Sequence, residues 1–502
     1  MSYQKSPFEL KLWEKTKSED MRERAEAFGR LAEFTHGQED FATSLTCAKQ
    51  STMLYEELND SFGQAEGYFF EGKALRGQED NAQALVKLEK SAEFFRANPN
   101  EFFLAAILVE QGHAYSDLEQ FALAKGSFEN AMNLFVAEEL WGSAGIAALM
   151  CAEMLYKLKD FSQCEFYSTR ALDMLAKGEP DFVSTARAYK VRGDAHTSQG
   201  DFTAACADYW ESYHLLEYVE FEGYKVEVLL DLSEALIYAE DFYAALPLLD
   251  QARTMAGSSG VLDQAKCDLF EAHIKAATGE PEEATKLYTR ARSAFKAASS
   301  HYFVFDCDYR LGKLLQRNDH LKAVEQFEKA LEHAAQSKFE PHSHLIFVDM
   351  AKSYLEIGRA DAVVTKTHLV DLDKLPGPEA VAAYCNYVAR AKMLLGENEQ
   401  AVGELGFILD ETNTEIDNGH RLYALETKAR AQLATGDAES AKLVLTEVLF
   451  AHALKRNTDA SHRIATLIQD CTLKISQDEA EQAVSFPVDN PSDSIDGAEG
   501  NQ

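Results

Sequence analysis

The chain has 502 residues, 83 of them acidic and 49 basic, for a net charge of −34. An acidic excess of that size repels the phosphates of nucleic acids and of anionic membrane surfaces and argues against both as partners. Hydrophobic residues make up 46%, and scarce Pro beside abundant Ala, Leu and Glu favours helix. The length suits about two to four ordinary domains, or one repeat array in which each unit packs only on its neighbours.

Residues 1–24 alternate charges around Phe8, Leu10, Leu12 and Trp13. They lack the apolar run of a secretory signal and are expected to form a short helix capping the first repeat. No later stretch approaches the roughly 18 apolar residues of a membrane span, and the expected location is cytoplasmic. Eight cysteines without a C-x-x-C pair are expected to be free buried thiols in a reducing compartment.

From residue 25 the sequence repeats itself. Ala188–Gln199 is predicted as a helix, Gly200-Asp201-Phe202 breaks it, and Ala204–Tyr218 follows as a second helix. Gly supplies the left-handed residue that ends a helix, and Asp accepts hydrogen bonds from the free N–H groups of the next. The acidic cap recurs at Asp40, Asp80, Asp160, Asp201, Asp241, Asp319 and Asp437. Four residues after each cap position comes a small residue: Ser44, Ala84, Ala124, Cys164, Ala205, Ala245, Ala284, Ala323, Ala362, Ala401 and Ala441, spaced 39 to 41 apart. A second small series precedes it by about twelve residues, from Ala32, Gly72 and Gly112 through Gly193 and Gly312 to Ala429. A third follows by seven, from Ser51 and Ser91 through Ser212 to Ala330, becoming Leu369, Ile408 and Val448. Antiparallel helices approach closely only at small side chains. The bulky residues four positions after the first series (Phe128, Tyr209, Leu249, Tyr288, Phe327, Leu405, Leu445) fill the groove between. Around Ala362 the pattern degenerates, with Lys366 at the bulky position, so this ninth repeat is expected to be a softer joint.

Residues 477–502 hold seven acids, no Lys or Arg, and Pro487, Pro491, Gly497 and Gly500. This composition predicts a disordered tail. Its apolar island, Val484 to Val488, leaves two uses open, a solvating tail or a short docking motif.

The small–bulky–small pattern with its Gly-Asp turn, clearest in Leu321–Ala330, resembles the tetratricopeptide repeat family over residues 25–476. The resemblance implies an all-α, right-handed superhelical solenoid of about eleven tandem helix–turn–helix repeats. The unit is about 40 residues where the common repeat has 34, so its helices or inter-repeat loops must be longer. Pro99, Pro180, Pro341 and Pro378 fall in some of the connections. Similar long repeats occur in bacterial peptide-sensing regulators and in eukaryotic motor and polarity adaptors.

In that family the first helix of each repeat lines a concave groove, and the residue after its small position faces the groove. Here the resemblance picks out Glu33, Lys73, His113, Glu153, Asp194, Glu234, His273, Lys313, Lys352, Arg390 and Arg430, with Arg310 and Arg317 adding to the cations. Arg310, Lys313, Lys352, Arg390 and Arg430 are therefore candidate contacts for an acidic or carboxylate-bearing peptide. The alternative is that these cations pair with neighbouring acids and bind nothing. The acidic tail is a candidate ligand for the same stretch by self-association, its tether raising its effective concentration.

No nucleotide-binding glycine loop, zinc-protease, hydrolase or EF-hand motif occurs in the sequence. His342 and His344 form an H-x-H short of the three or four ligands zinc needs, and Gly257-Ser258-Ser259-Gly260 is more simply a turn than a phosphate loop. No catalytic residue, cofactor or metal is expected. A non-enzymatic protein- or peptide-binding scaffold leads, a peptide-sensing regulator without a DNA-binding module follows, and an enzyme has no motif in its favour.

Overall fold

Seventeen residues of helix and three of linker, taken twice, account for the 40-residue period. The computed structural model describes residues 6–257, 260–336, 340–410, 416–455 and 457–485, excluding the side chains of 340–343 and 480–485. These residues contain no strand. They form two compact units that divide between Ile274 and Lys275.

The first unit opens with α1 (Pro7–Lys15). Helix pairs follow: α2 and α3 (Met21–Gly37, Phe41–Glu57), α4 and α5 (Ser61–Gly77, Asn81–Ala97), α6 and α7 (Glu101–Asp117, Phe121–Ala137), and α8 and α9 (Trp141–Lys157, Phe161–Leu175). Next come α10 and α11 (Phe182–Gln199, Phe202–Leu216), α12 and α13 (Glu222–Tyr238, Phe242–Ala256), and most of α14 (Val261–Ala277). The second unit holds α15 (Pro281–Ala297), α16 and α17 (His301–Leu315, His320–Gln336), and α18 and α19 (Glu340–Glu356, Ala360–Lys366). It continues with α20 (Gly377–Leu394), the short α21 and α22 (Asn398–Glu404, Gly406–Leu409), α23 and α24 (Asn418–Ala434, Ala438–Leu454), and α25 (Thr458–Ser485).

Three-residue linkers suffice because each closes one helix and opens the next. After α6, Glu119 sits at φ 57°. Its N–H bonds the Ser116 carbonyl and the next N–H, of Gln120, bonds that of Tyr115, the paired bonds of a Schellman ending. In most repeats the residue after the left-handed one is the Asp cap. Asp40, Asp80, Asp160, Asp201, Asp241, Asp319 and Asp437 each accept the N–H three residues on. Asp60, Asn100 and Asp181 do the same for first helices, and Asp20 accepts the N–H of Arg22, two residues on. The left-handed position is a glycine at Gly200, Gly279, Gly358, Gly396 and Gly436, but Glu39, Glu79, Glu119, Lys159 and Glu240 take it in other repeats. A residue with a Cβ costs about 1–2 kcal/mol there. Glu119→Gly is therefore expected to stabilise the protein by about 0.5–1 kcal/mol, the rest being lost to a freer unfolded chain, read as a raised urea midpoint.

The three small series mark the close contacts. Ala84, Ala124, Cys164, Ala205 and Ala245 are fully buried. A Cβ added to Gly112 would lie 2.5 Å from the Phe128 ring, and one added to Gly312 equally close to Phe327. The third series also bonds: Ser51, Ser91 and Ser212 each donate to a first-helix carbonyl, of Ala25, Ala65 and Ala186, at 2.7–2.8 Å. At the amino end, Leu12 of α1 is buried and Phe8 packs on Phe34, while Leu10 is exposed. Seven of the eight cysteines are buried and all are free thiols.

Some expectations change. The helices are longer than the family's usual ones and the loops are not. Repeat nine keeps seven residues of its second helix, α19, after which the chain makes two single turns of 3-10 helix at Thr367–Leu369 and Leu372–Lys374. Leu369 is therefore 42% exposed instead of filling the third close contact. Repeat ten breaks its second helix between α21 and α22. Pro341 and Pro378 lie inside the first turns of α18 and α20, where the missing N–H costs nothing. Helix α25 runs to Ser485, nine residues into the segment expected to be disordered; apart from Asp478, Gln477 to Ala483 are helix formers, and the first proline is Pro487. The rest of the tail, 486–502, and Ser258-Ser259 of the Gly/Ser loop lie outside the described residues.

Candidate functional site

Each unit has two layers, first helices and second helices, and the first-helix layer is the tighter. Helix α2 touches α4, α4 touches α6, α8 touches α10, α18 touches α20 and α20 touches α23; α6 and α8, α10 and α12, and α16 and α18 make few or no such contacts, as do second helices of successive repeats. A stack whose layers differ in spacing curves toward the tighter one. Where successive first helices touch, they form the inner face of their unit.

That face is laced by ion pairs between successive first helices. In the first unit Arg76 Nε lies 2.8 Å and Lys73 Nζ 3.7 Å from Glu110, and Arg187 pairs with Glu153 at 2.5 Å. Lys190 of α10 sits among Asp194, Asp231 and Glu227 at 3.1, 3.0 and 3.3 Å. Burial opposes its charge, yet the three carboxylates outweigh burial and hold the ammonium well above the usual lysine range. Burial, with Asp194 and Glu227 adding to it, pushes Asp231 up to about 6 against the pull of Lys190. His113, half-buried, packs edge-on against Phe128 at 5.2 Å. Burial first, then Arg76, hold its pKa below the ordinary value.

In the second unit four of the five candidate cations occupy one register: Lys313 on α16, Lys352 on α18, Arg390 on α20 and Arg430 on α23. Lys313 reaches Asp349 at 2.7 Å, an acid also held by the Tyr309 hydroxyl at 2.7 Å. Arg390 lies 3.6 Å from Glu356 and donates to the Tyr423 hydroxyl at 3.1 Å. Arg430 shares Glu426 with Arg463, at 2.9 and 2.8 Å. Arg310 pairs with Asp306 one turn away on its own helix, at 3.2 Å. Lys352 is exposed and has no ion pair among the described residues. Arg317 falls in the linker after α16, off this face.

The sequence pattern marks Glu153 and allows that the cations pair with acids, but it does not single out Glu110, Asp349, Glu356 or Glu426 as their partners. Arg76–Glu110, Arg187–Glu153, Lys313–Asp349 and Arg390–Glu356 are separated by 34 to 36 residues, one repeat less about a turn, so opposite charges recurring at that separation were a readable signal. His344 accepts the Asp371 N–H at 3.1 Å through Nδ1, and the His342 side chain lies outside the described residues. No described helix is long and apolar enough to cross a membrane.

No protein-family model and no curated protein matches the sequence. Solved structures do. The apo form of the quorum sensor NprR from B. thuringiensis aligns with a TM-score of 0.50 at 12% identity, over 65% of this chain and 92% of that one. RapI in its apo form aligns at 0.47 and 14%, over 55% and 99%. A tetratricopeptide repeat protein from Parabacteroides merdae aligns at 0.37 and 14%, over 54% and 93%. With consecutive antiparallel pairs, a first-helix layer and small residues in register, the chain has a tetratricopeptide-type helical-repeat fold.

Proposed function

We propose that this chain is a non-enzymatic scaffold that binds a peptide or an extended segment of another protein along its first-helix face, and that Arg310, Lys313, Lys352, Arg390 and Arg430 take an acidic or carboxylate-bearing ligand. The observation that carries the reading is the register in the second unit, where one cation per repeat stands on four consecutive first helices. The carboxylates beside three of them do not argue against it. Lys313, Arg390 and Arg430 are 46%, 38% and 36% exposed, and ion pairs that open to water are worth about 0–1 kcal/mol. A ligand carboxylate can exchange for the 45% exposed Glu356 at little cost, whereas Asp349 and Glu426, 12% and 10% exposed, would keep Tyr309 and Arg463 as partners and share their cations with the ligand. Lys352 has nothing to exchange.

The test is anisotropy of a labelled Glu-rich peptide at low and high salt with the full chain. Binding that weakens with salt and is lost in Lys352→Glu/Arg390→Glu supports the reading. Binding that the double variant leaves intact overturns the site, and no binding of any acidic peptide overturns the ligand class. Deleting residues 486–502 should tighten binding if the acidic tail competes for the same face.

A second reading, a sensor that changes shape on binding a peptide, is favoured by the shortened second helices of repeats nine and ten. NprR, whose fold this chain shares, is described as a quorum sensor. Small-angle scattering with and without bound peptide separates the two: an unchanged radius of gyration supports the scaffold.

A further inference from the structure

We infer that Glu379, Asp417 and His420 form a site for a divalent transition metal of the zinc class, clamping the start of α23 to the start of α20. The three side chains each offer one ligand atom, and these atoms all lie within 4.8 Å of one another. Two of the three carry an oriented shell. Glu379 Oε1 accepts the Asp417 N–H at 2.7 Å, and Asp417 Oδ1 accepts the N–H groups of Gly419 and, at 3.3 Å, His420. Those bonds fix both carboxylates, and Glu379 Oε2 and His420 Nε2 face each other as an ion pair into which a metal would insert. His420 is anchored in turn where its carbonyl accepts the buried Asn386 amide at 3.2 Å.

The spacing suits a metal. Zinc holds imidazole nitrogen and carboxylate oxygen at about 2.0–2.2 Å, which places two ligands of a tetrahedron about 3.3 Å apart. Glu379 Oε2 and His420 Nε2 are 3.2 Å apart. An imidazole with two carboxylates selects zinc and its neighbours over magnesium or calcium, whose ligands are oxygen, and water completes the shell. The position has a structural use as well. Repeat ten has α21 and α22 in place of a 17-residue second helix, and a bond from Glu379 to His420 ties its first helix directly to the next repeat.

Without metal, the same contact is a His420–Glu379 ion pair, and the experiment distinguishes the two. Equilibrium dialysis of the full chain against Zn2+ is compared with His420→Gln, Glu379→Gln and, as control, His462→Gln, alongside thermal midpoints. Burial of seven of the eight thiols limits competition from cysteine. Expected is one saturable Zn2+ per chain that raises the midpoint, is not displaced by equimolar Mg2+, is weakened at least about tenfold in both site variants, and is unchanged in the control. No saturable Zn2+, or equal binding in the wild type and both site variants, overturns the site and leaves the ion pair as its whole content.

Discussion

Phe128→Ala is expected to lower the stability of the repeats around α6, α7 and α8 by about 3–5 kcal/mol, the range for emptying a fully buried aromatic position. The ring is wholly buried in the cluster that also takes in Met132, Phe135, Ala148 and Cys151, and it fills the space that Gly112 leaves on the first helix. Gly112→Val attacks the same contact from the other side. A branched residue gains a few tenths of a kcal/mol of helix propensity over Gly, but overpacking costs about 1–3 kcal/mol, so the sum is destabilising. Because both changes act on one space, the double variant should lose less than the two singles added together. Native-state hydrogen exchange reads this locally. In an array held by nearest-neighbour contacts, amides of α5 to α9 should lose protection while those of α20 and α23 keep it. Additive losses would mean that the ring and the glycine do not share a packing site.

That contact also shows why so much of the fold was legible. Steric limits at a helix crossing act on one side chain at a time, so Gly112, Ala124, Phe128 and Ala131 carry their geometry in their identities, and the same identities recur every 40 residues. The Asp caps were legible for the same reason, since each bond reaches three residues. The linker rule was half hidden: Gly200 announces its left-handed turn, whereas Glu39, Glu79 and Lys159 adopt the same turn without announcing it. The truncation of repeat nine showed at Lys366, which lies over the Tyr354 ring at 5.9 Å. The broken helix of repeat ten did not show, because Ala401 and Leu405 still satisfy the pattern and Ile408 departs from it no more than Val448, which lies in the unbroken α24; all four are buried. Least legible was the candidate face. The cations could be placed by register, but their partners depend on the phase of the next repeat's helix. Glu379, Asp417 and His420 come together across about one repeat from residue types that no local spacing links.

Lys190→Met is the largest change expected from the inner face. It removes the one cation among Asp194, Glu227 and Asp231. Removing one partner of a fully buried ion pair strands the other charge and costs about 3–5 kcal/mol. Here Asp231 and Glu227 are 29% and 51% exposed, so solvent lowers the expected loss to about 2–3 kcal/mol. The pH dependence has a definite sign. Burial already pushes the Asp231 carboxyl up to about 6 with Lys190 in place, and losing the ammonium pushes it further. A carboxyl whose folded pKa exceeds its unfolded value binds its proton more tightly in the folded state, so its contribution to stability falls as pH rises through that folded value. The deficit of Lys190→Met should therefore be larger at pH 8 than at pH 5, and Asp231→Asn in the same background should recover about half of it. Urea unfolding of the three proteins at both pH values decides the matter. An equal deficit at the two pH values, with no recovery from Asp231→Asn, would show that Lys190 acts through the packing of its aliphatic stem and not through its charge.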